Sequence, residues 1–225
     1  MGIPMPRRLR QPLTAGSTDM AIPRSDATMA ERASRRRISA GILLFRRRDE
    51  GIEVLLGHPG GPYFDKRDEG IWSIPKGEAE DGEELWVVAK REFGEETGHV
   101  IGSGVTSIEL GTITQRGGKV VHAWAVEGEL DPSQAWSNTF TMEWPPHSGI
   151  QIEVPEIDRV GWFTPEAARL AINVAQVALI DLLLEELTAR AAEQAALEEA
   201  RLAEEGERRR RDDRLDLPEQ QAPDD

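Results

Sequence analysis

The sequence predicts a single α/β domain, because short apolar strands alternate with helical segments along its middle part. Its 225 residues leave room for one domain of ordinary size plus tails. Prolines and clustered arginines fill residues 1–36, whereas residues 188–225 are rich in charge and alanine. We therefore expect a disordered basic arm before the domain, and a projecting charged helix with a disordered tail after it.

Composition restricts the class of protein. The chain has no cysteine, so disulfides and thiolate metal sites are excluded, which fits a cytoplasmic protein. It has no apolar run as long as a membrane span, and its start lacks the apolar core of a secretory signal. The net charge of −14 argues against broad nucleic-acid binding, although a cleft can carry the opposite sign. The basic arm leaves open a contact with nucleic acid or with the acidic tail.

The first half of the domain is predicted to consist mainly of strands. Residues 38–45 and 52–57 are apolar runs that form a hairpin, with 46–51 as its turn. The stretch 58–70 is dense in glycine and proline and is therefore a loop. A short strand is expected at 72–77.

The next strands are expected at 106–115 and 119–127, joined by a glycine-rich hairpin turn. Residues 129–154 then form a connection longer than common loops, so it is either functional or carries short structure of its own. Its two tryptophans, Trp136 and Trp144, either stack on a base or fix the loop in place.

The chain ends in helices after a strand within residues 153–163. Thr164 and Pro165 have the features of a helix N-cap and first turn. A longer helix is predicted from 174 to 203, and it should fray through 208–211. The apolar residues of its first part should cover the sheet: Val174, Val177, Ala178, Ile180, Leu183, Leu184 and Leu187.

Residues 77–98 are the most informative stretch of the sequence. It starts as an acidic, glycine-rich loop, becomes helical near Glu83 and ends at Gly98. At about 100° per residue its apolar side chains fall within an arc of roughly 160°. These apolar residues are Leu85, Trp86, Val88, Ala89 and Phe93.

Three glutamates lie on that apolar face or at its edge. Glu92 and Glu96 fall inside the arc, and Glu95 lies at its margin. A carboxylate turned toward a core is costly unless it is compensated, and three together repel one another. Oxygen ligands in such a cluster suit a hard divalent ion such as Mg²⁺, with Mn²⁺ as the alternative. The segment therefore predicts a metal site.

The spacing of the same segment resembles the signature of the Nudix hydrolases. Gly77 is followed after five residues by Glu83, and after seven more by the run 91–98. His99 departs from the pattern, because the family usually has a bulky aliphatic residue there; that position packs rather than reacts. The resemblance covers about residues 37–187 and implies an αβα sandwich with a mixed central sheet.

The resemblance also implies the metal ligands and the catalytic residues. The ligands would be the Gly77 carbonyl, Glu92, Glu95 and Glu96. Glu156, six residues before a tryptophan, is similar to a further metal-binding glutamate of the asymmetrical diadenosine tetraphosphate hydrolases; the alternative is a surface loop residue. Among the glutamates, Glu96 is preferred as proton acceptor, and Arg91 would set the helix by pairing with a carboxylate.

Four basic residues are candidates for contacts with phosphate. Lys76 adjoins the implied metal site, and Lys119 precedes Trp124 by five residues, as in the diadenosine tetraphosphate hydrolases. Lys66 and Arg67 lie in the glycine-rich loop. For Lys119, Lys66 and Arg67 the alternative is an ordinary solvated surface residue.

The implied reaction is hydrolysis of a nucleoside diphosphate linked to another group X. The leading substrates are dinucleoside polyphosphates or nucleoside triphosphates, and the rival is ADP-ribose or another nucleotide sugar. A non-catalytic nucleotide sensor with this fold is the alternative from a different class. Sensors commonly lose the catalytic acids, and this chain keeps Glu92, Glu95 and Glu96. The expected partner is a small nucleotide, no membrane is involved, and a homodimer is left open.

Overall fold

The structure, a computed structural model, describes residues 38–215. The disordered arm predicted over 1–36 and the end of the chain beyond 215 lie outside the described residues. The strands are β1 (Ile38–Arg48), β2 (Gly51–Pro59), β3 (Lys76–Glu78), β4 (Ser107–Thr114), β5 (Val120–Glu127), β6 (Thr139–Glu143), β7 (Gln151–Pro155) and β8 (Ile157–Phe163). The helices are α1 (Leu85–Thr97), α2 (Pro165–Ala171) and α3 (Val177–Leu215).

The central sheet is mixed, as predicted. Its strand order is β4-β5-β1-β2-β8, and the short β3 also pairs with β1. The pairing of β1 with β5 is parallel, whereas the other pairings in this sheet are antiparallel. The strands β6 and β7 form a separate antiparallel pair.

Apolar side chains cover both faces of this sheet. In β1, Ile42 and Leu44 lie on the face that packs against α1, where they meet Phe93. Leu43 and Phe45 lie on the opposite face, in the cluster that contains residues of α2 and α3. This alternation has the two-residue period of a strand buried on both sides. The predicted αβα sandwich is therefore confirmed.

The prediction of a turn at 46–51 is wrong in its first half. Arg46 is still in β1 and lies opposite Glu53 of β2, with Nη2 2.6 Å from Oε2. Its guanidinium also lies 4.2 Å from the centre of the Trp162 ring. A cross-strand ion pair and a cation–π contact stabilise an arginine within a strand. The turn is thus confined to Asp49 and Glu50.

The strand predicted at 72–77 is shorter than expected. Trp72 and Ser73 form only isolated bridges, and the paired strand begins at Lys76. Pro75 lies between these two parts and has no backbone N–H to donate to a neighbouring strand.

The motif helix begins at Leu85, two residues after the predicted start near Glu83. It ends where predicted: Gly98 adopts a φ of 73°, and its N–H donates to the carbonyl of Gly94 at 2.9 Å. The left-handed conformation is one that glycine adopts without strain. The buried side chains of this helix are Val88, Ala89, Glu92, Phe93 and Thr97.

The long connection at 129–154 carries short structure of its own, as one of the two alternatives predicted. It contains a 3₁₀ turn at Pro132–Gln134 and the hairpin of β6 and β7. Trp144 makes an edge contact with Tyr63, with ring centres 4.8 Å apart. That contact joins this connection to the glycine-rich loop.

The start of the C-terminal helical region is partly as predicted. Thr164 caps α2 by accepting a hydrogen bond from the N–H of Ala167, at 3.4 Å. Val174 and Ala178 were expected to cover the sheet, but both are exposed. A 3₁₀ turn at Val174–Gln176 precedes α3, so Val174 lies outside the α-helix on which the prediction placed it. The buried residues of α3 are Leu179, Ile180, Leu183 and Leu187.

The helix α3 is longer than the predicted range of 174–203. It continues to Leu215, so the predicted fraying through 208–211 is wrong. Beyond Leu187 its side chains are almost all exposed as far as residue 211, where the described side chains end. Alanine, glutamate and arginine have high helix propensity, and ion pairs one turn apart add to it. No helix of the described residues is long and apolar enough to cross a membrane.

We expect Leu183→Ala and Leu197→Ala to differ sharply in stability. Leu183 is fully buried, whereas Leu197 in the same helix is 66% exposed. Loss of the buried side chain should lower the free energy of unfolding by about 2 to 5 kcal/mol. The exposed change should cost less than about 0.5 kcal/mol. Urea unfolding measures both, and equal effects would contradict the assignment of the core to the first turns of α3.

Candidate active site

The site is formed where β3 passes over α1. Gly77 pairs with Ala40 of β1 and lies against Glu92 of the helix. A Cβ atom at position 77 would overlap the Glu92 carboxylate, so a side chain here would displace it. The glycine therefore permits a close approach of strand backbone to carboxylate.

Glu96 is tied to the same strand. The backbone N–H of Lys76 donates to its Oε2 at 2.8 Å. Burial raises the pKa of Glu96 to about 7, although the ammonium and N–H of Lys76 act against this shift. The neighbouring carboxylates of Glu156 and Glu92 raise this pKa further. Glu96 is thus a carboxyl group that titrates near neutral pH.

Arg91 holds two of the other acids. Its Nη1 lies 2.6 Å from Oε1 of Glu92 and 3.4 Å from Oε2 of Glu95. Its Nη2 lies 3.7 Å from Oε2 of Glu83, the glutamate that follows Gly77 after five residues. The arginine therefore connects the loop before α1 with two carboxylates of the helix.

Glu92 remains difficult to ionise despite this arginine. Its burial raises its pKa, Arg91 opposes that shift, and Glu95 and Glu156 add to it. Glu156 reaches this region from the junction of β7 and β8, and it acts on both Glu92 and Glu96. Carboxylates from two distant parts of the sequence thus act on Glu92 and on Glu96.

Two lysines lie beside the acids. Burial lowers the pKa of Lys76, Glu96 raises it, and the nearby charge of Lys119 lowers it again. The Nζ of Lys119 is 3.5 Å from Oε1 of Glu78, in the strand that carries Lys76. Lysines packed near one another are suited to neutralise the charge of a polyphosphate.

Lys66 and Arg67 are placed differently. Both are exposed, and within the described part of the chain neither side chain has a hydrogen bond or an ion pair. The carbonyl of Arg67 accepts a hydrogen bond from Nε2 of the buried His58 at 2.7 Å. A contact of these two basic side chains with phosphate stays a prediction.

The sequence did not indicate the residue that joins the two acidic segments. The N–H of Asn138 donates to the carbonyl of Glu95 at 2.8 Å, and its own carbonyl accepts from the N–H of Glu156 at 2.9 Å. Nearby, the N–H of Trp136 donates to the carbonyl of Thr97 at 3.3 Å. These hydrogen bonds involve backbone atoms, which every residue type has, so the sequence could not predict them. The only signal in the sequence was the unusual length of this connection.

The donor set fits a hard divalent cation. All candidate ligands are oxygen atoms, and neighbouring carboxylates raise the pKa of Glu92 and of Glu96, so a cation would relieve the repulsion. Among the described residues, no three acidic or histidine side chains converge on one point as they stand. Instead, Arg91 forms an ion pair with Glu92, and the N–H of Lys76 donates a hydrogen bond to Glu96.

Comparison with known proteins shows the family of the chain. A family model of the NUDIX domain matches residues 35–183, which is well over half of the chain. The chain therefore belongs to the Nudix family. No curated protein matches the sequence significantly.

Several solved structures are similar to the chain. An Ap4A hydrolase of C. elegans in a binary complex is 22% identical with a TM-score of 0.49, covering 67% of this chain and 98% of that one. The NUDIX domain of Shewanella oneidensis NrtR, complexed with ADP ribose, is 19% identical with a TM-score of 0.47, covering 68% and 89%. A mutT/nudix family protein from Listeria innocua is 16% identical with a TM-score of 0.47, covering 69% and 96%.

We expect Glu96 to make the stability of the metal-free protein depend on pH. Its pKa is about 7 in the folded chain against an ordinary value of 4.5, so the folded chain binds its proton more tightly. The free energy of unfolding should therefore fall by about 1 to 3 kcal/mol as the pH rises from about 4.5 to 7. Urea unfolding in the presence of a chelator measures this slope.

Glu96→Gln is the control, because glutamine keeps the volume of the side chain without the titration. The difference in unfolding free energy between wild type and this variant should change over that pH range in the stated direction. A constant difference from pH 4.5 to pH 8 would contradict the assigned pKa.

Proposed function

We propose that this Nudix hydrolase cleaves a phosphoanhydride bond in a nucleoside diphosphate linked to another group X, with Mg²⁺ or Mn²⁺ as cofactor. The observation that carries the proposal is the grouping of Glu92, Glu95, Glu96 and Glu156 around the contact between β3 and α1. Mutually repelling carboxylates beside two lysines suit a site that takes a cation and a phosphate chain together.

The residues that would hold the ion are the Gly77 carbonyl and the carboxylates of Glu92, Glu95, Glu96 and Glu156. When bound, the ion would polarise the phosphoryl oxygens and lower the pKa of a water molecule. Gly77 contributes by leaving space for Glu92, since a side chain there would displace the carboxylate.

Glu96 is the preferred acceptor for the proton of the attacking water. In the metal-free chain burial raises its pKa to about 7, and a bound cation would lower that pKa. Its Oε2 accepts a hydrogen bond from the N–H of Lys76, which orients the carboxylate. Arg91 has a positioning role, because it holds Glu92 and Glu95 on the same side of the helix.

The lysines would stabilise charge on the phosphates. The charge of Lys119 acts on Lys76, and Lys119 is paired with Glu78 in the strand that carries Lys76. A group with several phosphates would use both, which supports a dinucleoside polyphosphate or a nucleoside triphosphate as substrate. ADP-ribose or another nucleotide sugar is the alternative, and a cytoplasmic location is part of the proposal.

A non-catalytic nucleotide sensor is the competing function. It would need no proton acceptor at the site. The retention of Glu92, Glu95 and Glu96 favours the enzyme.

Hydrolysis of a substrate panel tests the proposal. The panel contains diadenosine polyphosphates, the common and oxidised nucleoside triphosphates, and ADP-ribose, each with Mg²⁺ or Mn²⁺. We expect turnover of one class, and Glu96→Gln should lower kcat at least about 100-fold through loss of the base. Glu84→Gln is the matched control: Glu84 is an exposed residue just before α1 whose side chain makes no capping bond, and it should stay within about twofold of wild type.

Two results would contradict parts of the proposal. Full activity of a folded Glu96→Gln protein would contradict the catalytic role assigned to Glu96. Nucleotide binding without turnover of any member of the panel would favour the sensor.

A further inference from the structure

A cavity of about 230 Å³ adjoins the acid cluster. Glu96 forms part of its wall, and the remainder comes from the segment around Trp136, the end of β7 and the start of β8. It thus opens beside the carboxylate to which the proton-accepting role is assigned. A ligand in this cavity would be in contact with the reaction site.

The indole of Trp136 is fixed at the edge of this cavity. It lies on Gly98, so closely that a Cβ atom at position 98 would overlap the ring. The N–H of Trp136 donates to the carbonyl of Thr97 at 3.3 Å, which anchors its backbone to the end of α1. Yet 60% of the residue is exposed. A large aromatic ring that is held in place but uncovered has a free face for a ligand.

The walls of the cavity differ in character. Trp136 and Ile157 provide apolar surface, whereas Ser137, Asp158 and Arg159 provide polar groups. Aromatic and apolar walls with a few polar groups are typical of a site for a planar heterocycle. The volume is below the roughly 300 Å³ at which pockets for larger ligands begin, so it suits one nucleoside rather than a whole dinucleotide.

The polar side of the cavity is also held in place. Oδ1 of Asp158 lies 2.8 Å from Nδ1 of the buried His58. Arg159 donates to Oδ1 of Asp68 at 2.9 Å and lies 5.2 Å from the centre of the Trp72 ring. Side chains held in this way present a fixed set of polar groups to a ligand, which reduces the entropic cost of binding.

Two larger hollows are less suited to the substrate. One of about 350 Å³ lies at the turn between β1 and β2, where Arg46 and Arg48 are already paired with Glu53 and Glu129. The other, of about 480 Å³, runs along the exposed part of α3. Neither contains a residue of the acid cluster.

We propose that the cavity beside Glu96 binds the nucleoside end of the substrate, with the base stacked on Trp136. This inference rests on the proposed function and deepens it, because it assigns the two ends of the substrate to different residues. The phosphates lie against Lys76 and Lys119, and the base lies against the indole. Trp136 is then a specificity-determining residue, which contacts substrate without taking part in the chemistry.

Binding of analogues that resist hydrolysis tests this assignment. The ligands are ATP, GTP, CTP and UTP in which CH₂ groups replace both phosphoanhydride oxygens, with inorganic tripolyphosphate as the base-free probe, all with Mg²⁺. Dissociation constants are measured by calorimetry on the full chain. We expect Trp136→Ala to weaken the tightest nucleotide about 10- to 100-fold and to leave tripolyphosphate unchanged. Trp136→Phe, which keeps a stacking ring, should restore most of the affinity.

Trp144→Ala is the matched control. Trp144 belongs to the same connection but contacts Tyr63 and does not line the cavity. Its loss should leave nucleotide affinity unchanged. If Trp136→Ala weakened nucleotide and tripolyphosphate equally, or if Trp144→Ala acted like Trp136→Ala, the ring would only fix the connection and the assignment would fail.

Failure of the subsite and failure of hydrolysis give different results. If no nucleotide analogue bound more tightly than tripolyphosphate, there would be no base subsite, even with an active enzyme. Trp136→Ala could abolish base-dependent binding while the substrate panel showed no turnover. That result would support the base subsite and contradict the proposed hydrolysis.

Discussion

The structure depends on the crossing of a three-residue strand over the motif helix. At this crossing Gly77 leaves space for the Glu92 carboxylate, and the N–H of Lys76 binds Glu96. The strand is itself paired with β1, the centre of the sheet, so the carboxylates are held against the most buried part of the domain. The resulting pKa shifts show that the fold keeps acidic groups where ionisation is costly. Acidic groups whose ionisation is made costly by burial occur at functional sites more often than elsewhere.

The connection between β5 and β8 completes the site. Through Asn138 it links the backbone at Glu95 with that at Glu156, so the helix and the distant glutamate are joined by two hydrogen bonds. Trp136, two residues earlier, packs on Gly98. The glycine therefore has two roles: it ends the helix in a left-handed conformation, and it gives the indole a surface on which to lie. One segment thus orders the acids and borders the adjoining cavity.

Much of the fold followed from local patterns in the sequence. The end of α1 was predictable because Gly98 has a specific backbone requirement, and the buried position of Glu92 followed from helical periodicity. Arg46 was misassigned because its place in a strand depends on Glu53 and Trp162, which are distant in sequence. Leu179 is buried one helical turn before Leu183, so the spacing of apolar residues in the sequence could have placed it in the core. Asn138 acts through its backbone and leaves no trace in residue type.

The proposed divalent-cation site of Glu92, Glu95, Glu96 and Glu156 can be tested directly by metal binding. Calorimetric titration of Mn²⁺ into the protein at pH 7, in two buffers of different ionisation enthalpy, measures affinity and proton release together. Because the pKa of Glu96 is about 7, binding should release on the order of half a proton per ion. Glu96→Gln should weaken binding and abolish most of that release. Mn²⁺ binding with no proton release and no dependence on Glu96, or no binding at all, would contradict the account.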